Sequence, residues 1–183
     1  VPHLKKMKEN HEKLTNSIVN QKIKLAKIVD ENEDSLTFEF IDGISLEQRF
    51  NNAVQSGGDA SEKIIAEYKE LLKEGFRTTQ FKSSTMVTDR YKKIFGDFDY
   101  SELEGKLCFD GISNIDLIFS NIIFKDDEIY LIDYEWVFEL NVCVEYILYR
   151  MLTTEENNDL YNSMERNFID NRVIGSNGFF KIF

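Results

Sequence analysis

Several residue types are scarce in this chain, and each shortage excludes something. There are two cysteines in 183 residues, Cys108 and Cys143. They form no CxxC pair, and both sit between apolar neighbours (Leu107 and Phe109; Val142 and Val144). That pattern points to reduced core thiols of a cytosolic protein, with a disulfide the less favoured alternative. Basic residues are outnumbered, 22 against 33 acidic ones, for a net charge of −11. Such a surface argues against nucleic acid or an anionic membrane as partner, while a local basic groove remains compatible with phosphate. No apolar run approaches the ~18 residues of a membrane span, and no signal peptide is visible. Glycine is sparse, with nine in all. The stretch Ser56-Gly57-Gly58-Asp59 has no Lys-Ser or Lys-Thr after it, so it is no Walker-type phosphate loop. The single proline, Pro2, decides nothing about function. The first residue is Val1, inside an expected helix, so the chain is expected to be part of a longer protein.

Apolar residues make up 42% of the chain, which suits one globular domain or one and a half small lobes. Leu4, Met7, His11, Leu14 and Ile18 recur at helical spacing and predict a helix from about Pro2 to Val19. Residues 23–29 and 36–41 alternate as strands around a polar turn. Asp42-Gly43 breaks the second strand, and Ser45 caps a helix from Leu46. Asp59 or Ser61 caps another helix over about 60–73, ended by Gly75. Residues 78–88 read as a loop, 90–94 as a short helix, and 107–109 as the start of a strand or packed segment. Dense apolar content over 142–152 predicts a buried helix, followed by a helix over about 154–169 and an apolar tail over 179–183.

The stretch that carries chemistry runs from Asn114 to Trp136. Ile122 to Phe124 and Ile129 to Ile132 are short β-branched and aromatic runs separated by four charged residues, which predicts a β-hairpin. Folded symmetrically, it brings Asn121 opposite Ile132 and Asp133 opposite Ser120, so that Asn121 and Asp133 meet at its open end. Asp116 lies in the loop entering the first strand, near the same end. Two carboxylates and an amide oxygen converge there, a hard all-oxygen set of the kind Mg²⁺ prefers. The competing reading is that Asp and Asn at hairpin ends serve only as turn and capping residues.

Asp116, Asn121 five positions on, and Asp133 after the next strand resemble the catalytic and metal loops of the protein-kinase-like fold. The wording is more similar to the small-molecule branch, the aminoglycoside and choline phosphotransferases. Asn114 stands where a His is usual, and Tyr134-Glu135 where Phe-Gly is usual. Asn-Ile-Asp with Ile-Asp-Tyr-Glu-Trp also resembles kinase-like modules fused to bacterial glycosyltransferases and methyltransferases of surface-polysaccharide assembly. The resemblance implies an α+β fold, with a remnant N-terminal lobe over 1–41 and a mainly helical C-terminal lobe with a catalytic hairpin over 42–183. It implies Asp116 as catalytic base, Asn121 and Asp133 as Mg²⁺ ligands, and Glu135 as a further metal candidate. It places the adenine edge of ATP on hinge backbone around Glu39 to Ile41, and makes Glu9 or Glu12 candidate partners of a nucleotide-binding Lys. The implied activity is ATP- and Mg²⁺-dependent phosphoryl transfer to a small-molecule or sugar hydroxyl in the cytoplasm, alongside a fused transferase domain. No Gly-rich loop or assignable nucleotide Lys precedes the first helix, which keeps a second expectation open: a catalytically inactive kinase-like interaction module. A third is an unrelated α+β domain.

Overall fold

The computed structural model describes residues 2–154. The helix expected over 154–169 and the tail over 179–183 fall outside the described residues, apart from Thr154. What is described is a mixed α+β fold, and none of its helices is long and apolar enough to cross a membrane.

Helix α1 spans Pro2–Ser17. The single strand expected over 23–29 is two strands, β1 (Ile23–Leu25) and β2 (Ile28–Glu31). The break has a hydrogen-bonding cause. Ala26 N–H donates to Leu131 O (3.0 Å), whereas Lys27 exchanges bonds with Glu39, so the two halves serve different sheets. Strand β3 covers only Leu36–Phe38 and pairs antiparallel with β2. After it come β4 (Ile44–Ser45) and α2 (Leu46–Ser56). The α2 start is a full capping box: Gln48 N–H donates to Ser45 Oγ (3.0 Å) and Ser45 N–H to Gln48 Oε1 (3.2 Å), which satisfies two end donors reciprocally. Helix α3 spans Ala60–Glu74.

The expected loop over 78–88 instead holds β5 (Thr78–Gln80) and the short α4 (Ser83–Met86). Polar Thr-Thr-Gln gives no strand signal by itself; it becomes a strand by pairing with β6 (Leu107–Phe109). Between them lies α5 (Asp89–Phe95), capped by Thr88. Strand β7 (Ser113–Asn114) leads to a 3-10 turn at Phe119–Asn121 and then to β8 (Ile122–Lys125) and β9 (Glu128–Leu131). Strand β10 (Val137–Phe138) and α6 (Val144–Thr154) complete the order. Helix α6 starts two residues later than expected because Val142 is held extended: its N–H donates to Ser113 Oγ and its carbonyl accepts from Phe109 N–H.

Two compact units result, each discontinuous in sequence. The first combines Val1–Arg77 with Asn114–Phe138, and the second combines Thr78–Ser113 with the described part of Glu139–Phe183. The lobe boundary expected after residue 41 falls inside the first unit. That unit holds a four-stranded sheet in the order β1-β9-β8-β4, with β1 parallel to β9 and the other pairs antiparallel. Leu46, Phe50, Tyr68, Leu72, Leu117 and Phe119 are buried in it. Phe119 packs on Phe50 (5.4 Å between centroids) and edge-on to Tyr68 (4.9 Å), while Tyr68 Oη donates to Leu117 O (2.6 Å). Helices α2 and α3 thereby grip the loop that carries Asp116 and Asn121. Burying a side chain such as Phe119 contributes about 1.5–3 kcal/mol. The second unit is built around Phe81, Tyr91, Phe95 and Tyr100.

Candidate functional site

The hairpin forms in the expected register. Ile122 faces Leu131 and Lys125 faces Glu128. Asp126, at the turn, has a φ of 53°, a left-handed conformation that Asp tolerates better than most residues. Ile132 N–H donates to Asn121 O (3.0 Å), so Asn121 and Ile132 meet at the open end.

Two further bonds draw the site together. Asn121 Nδ2 donates to Asp116 O (3.1 Å), and Ile115 N–H donates to Trp136 O (3.0 Å). The first fixes the orientation of the Asn121 amide. With its nitrogen committed to backbone, its Oδ1 is the face left to act as an acceptor. Asp116 is itself buried, and its N–H donates to Asn114 Oδ1 (3.0 Å). That bond assigns the Asn114 amide as well, and leaves Asn114 Nδ2 a buried donor with no partner among the described residues.

Asp133 has a φ of 51°. Asp enters this left-handed region more readily than most side chains, but negative φ is still the commoner choice for it. Its carboxyl pKa is raised above the ordinary range. Lost hydration is the first cause, the negative charges of Asp116 and then Glu135 add to it, and a hydrogen bond from the Glu135 backbone opposes them. Asp133 as a whole remains exposed, so the protein crowds its carboxylate without sealing it off. Asp116 and Glu135 thus both act on the Asp133 carboxyl. Among the described residues no three His, Cys, Asp or Glu side chains converge tightly enough to cage a metal by themselves.

A cavity of about 460 Å³ adjoins Asp133. Phe38, Glu39, Phe40 and Ile41 line it, together with Ile123, Ile132, Asp133, Tyr134 and Glu135. The segment at 39–41 therefore shares one cavity of ligand-binding size with Asp133 and Glu135, while Asn121 and Asp116 are not among its lining residues. Within the segment the backbone roles divide. Glu39 N–H is spent on Lys27 O (2.8 Å) and the Glu39 carboxylate on Lys27 N–H (2.8 Å). Ile41 N–H and the Glu39 and Ile41 carbonyls have no hydrogen-bond partner among the described residues. Phe40 is 89% exposed. A larger recess of about 610 Å³ beside Lys63, Glu67 and Leu71 contains none of the expected site residues, so size alone does not mark the site.

Of the other candidates, Glu9 is exposed and pairs with Lys5 (3.7 Å). His11 is half-buried and packs edge-on against Tyr134 (5.5 Å). Two residues absent from the expectations hold the site. Tyr134 is buried and donates through Oη to Ala26 O (3.0 Å). Asn10 is buried and donates through Nδ2 to the carbonyls of Tyr134 (3.2 Å) and Glu135 (3.0 Å). Its signal in the sequence was its position three after Met7 and four before Leu14, a polar side chain on an apolar stripe. Comparison of the chain with protein-family models, with curated proteins and with solved structures gives no match.

Proposed function

We propose that this chain is an ATP- and Mg²⁺-dependent phosphotransferase acting on a small-molecule or sugar hydroxyl, in the cytoplasm and in the setting of cell-surface polysaccharide assembly. One observation carries the reading: Glu39–Ile41 and Asp133–Glu135 line the same cavity, at whose acidic end Asp116 acts electrostatically on Asp133.

The donor set suits Mg²⁺. This ion takes one or two carboxylates and keeps waters and substrate phosphates for its other positions. Asp133 with Asn121 Oδ1 would meet that demand, and a cation would offset the lost hydration and the repulsion that together raise the Asp133 pKa. Mg²⁺ would supply charge neutralisation at the β- and γ-phosphates.

The chain's own residues do the rest. The unpaired Ile41 N–H and the Glu39 and Ile41 carbonyls offer a donor–acceptor edge to a nucleobase. Asp116 orients the acceptor hydroxyl and takes its proton. The acceptor oxygen bonds to the γ-phosphorus as the bond to the bridging oxygen breaks, and the electron pair leaves with ADP. Positioning and electrostatics carry such a reaction.

Calorimetric titration of Mg²⁺-ATP into the longest natural form of the chain tests this, beside Asp133→Asn. Binding is expected only with Mg²⁺, weakened at least tenfold in the variant, about 1.4 kcal/mol. No heat and no metal dependence would reject phosphoryl transfer and leave a kinase-like docking module.

A further inference from the structure

We propose that Asn10 is a positioning residue. Its amide clamps the backbone immediately after Asp133 and so fixes the direction of the Asp133 carboxylate. The role of that carboxylate in cation and phosphate binding rests on the function proposed above; the clamp itself does not.

Asn10 is 3% exposed, on the face of α1 that also buries Met7 and Leu14. An apolar residue there would be buried without penalty. An amide is tolerated only if its polar atoms find partners. The partners of Asn10 Nδ2 are two successive carbonyls, those of Tyr134 and Glu135. One planar NH₂ group, with its two hydrogens, thus addresses the Tyr134–Glu135 and Glu135–Trp136 peptide units, the second and third after the Asp133 Cα.

That is where restraint is needed. Asp133 has a φ of 51°, and an unrestrained Asp would relax toward negative φ. On its C-terminal side the backbone is held by Asn10. The neighbouring Tyr134 ring meets His11 (5.5 Å) and Phe38 (5.6 Å), both edge-on, and its hydroxyl is tied to Ala26 O. Helix α1 contributes both Asn10 and His11 to this arrangement, so the helix that lies farthest away in sequence sets the aim of Asp133.

Trp136 is the chain's only tryptophan. It is half exposed, at 52%, and its backbone nitrogen belongs to the second of the clamped peptides, so its emission reports on this segment. The experiment compares parent, Asn10→Ala and Leu14→Ala by acrylamide quenching of Trp136, Mg²⁺-ATP calorimetry and thermal melting. Leu14 is a buried neighbour on the same helix whose side chain can make no hydrogen bond. Both variants are expected to melt below the parent. Only Asn10→Ala, which removes both hydrogen bonds to the Tyr134 and Glu135 carbonyls, is expected to increase quenching and to weaken Mg²⁺-ATP binding about tenfold or more. Asn10→Gln, which keeps the amide donor, is expected to recover part of both.

Unchanged quenching in a folded Asn10→Ala protein overturns the clamp, whether or not nucleotide binds. Increased quenching together with a parent that binds no Mg²⁺-ATP supports the clamp and rejects the phosphotransferase reading alone. Should Asn10→Ala fail to fold, native-state amide exchange of the parent decides. Residues 134–136 opening together with α1 supports the clamp, and their opening independently of α1 overturns it.

Discussion

Asp133 lies in left-handed backbone, with its carboxyl pKa raised by lost hydration and by the charges of Asp116 and Glu135. In the unfolded chain it titrates near the usual value of about 4. The folded protein keeps the proton to higher pH, so the ionised form weighs against folding. Stability from this group is full below the unfolded value, falls as pH rises through the folded value, and stays lower at neutral pH. Asn at this position removes the charge and is among the residues that best tolerate positive φ. Without metal, Asp133→Asn is therefore expected to melt above the parent at pH 7. After discounting for solvent screening of an exposed group, the gain is on the order of 0.5 kcal/mol, or about 1–2 °C. Melting curves from pH 4 to 8 check it: the advantage should shrink toward the acid end, and Mg²⁺ should raise the parent's midpoint more than the variant's. A variant that melts no higher at pH 7 would mean that the Asp133 charge already has a compensating partner. The substitution expected to damage binding is thus expected to stabilise the empty fold. The place of Asn121 and Asp133 at the open end of the hairpin was legible in the sequence because hairpin spacing is a local property. Asn10 was not, because its partners lie 124 and 125 residues away, and nothing in a helical stripe says where a polar member points.

Gly43 ties the segment at 39–41 to the β8–β9 hairpin. A Cβ built there would stand 2.5 Å from Phe124 O and 2.7 Å from Ile123 Cγ2. The next residues, Ile44 and Ser45, pair with Phe124 and Ile123 of β8. The close approach of β4 to β8 therefore requires the missing side chain, and it sets how far the cavity-lining segment lies from Asp133. Gly43→Ala forces the two apart. Its expected cost is about 1–3 kcal/mol, typical of overpacking, read as a lower denaturation midpoint, with weaker Mg²⁺-ATP binding because both walls of the cavity move. Unchanged stability would show that β8 yields easily and that the spacing is not fixed here. The elements read correctly from sequence were those with local signals: the stripe of α1, the Ser45 cap, and the β-branched and aromatic runs of the hairpin. Those misread depend on distant partners. Residues 78–80 are polar and become a strand only against 107–109. The strand expected over 23–29 divides because Lys27 is captured by Glu39 while Ala26 bonds to Leu131.

The chain passes between its two units three times, after Arg77, Ser113 and Phe138, and this couples their stabilities whatever their contacts. The first unit is completed by Asn114–Phe138, which arrives only after the excursion over Thr78–Ser113. With the second unit folded, Thr78 pairs with Phe109, so the excursion is already closed near its base. With it unfolded, the first unit must close a flexible loop of about 36 residues by itself, an entropic cost of about 3 kcal/mol from the logarithmic length term. Each unit carries its own probe. Trp136 belongs to the first. Cys108 and Cys143 belong to the second and lie opposite one another in a β-bridge, both buried. Burial, with a smaller contribution from Asp110, pushes the Cys108 thiol up to about 11, and Cys143 is raised mainly by burial as well. Neither thiol should react with a thiol-trapping reagent until the second unit opens. Urea unfolding followed by Trp136 emission and by thiol trapping is therefore expected to give coincident transitions. Phe109→Ala removes a core side chain of the second unit, 1% exposed, at an expected cost of about 3–5 kcal/mol. It should lower the Trp136 midpoint as well as the thiol midpoint. A Trp136 transition that stays in place while the thiols become reactive at lower urea would show that the first unit bears the open loop without loss, and that connectivity does not couple the two.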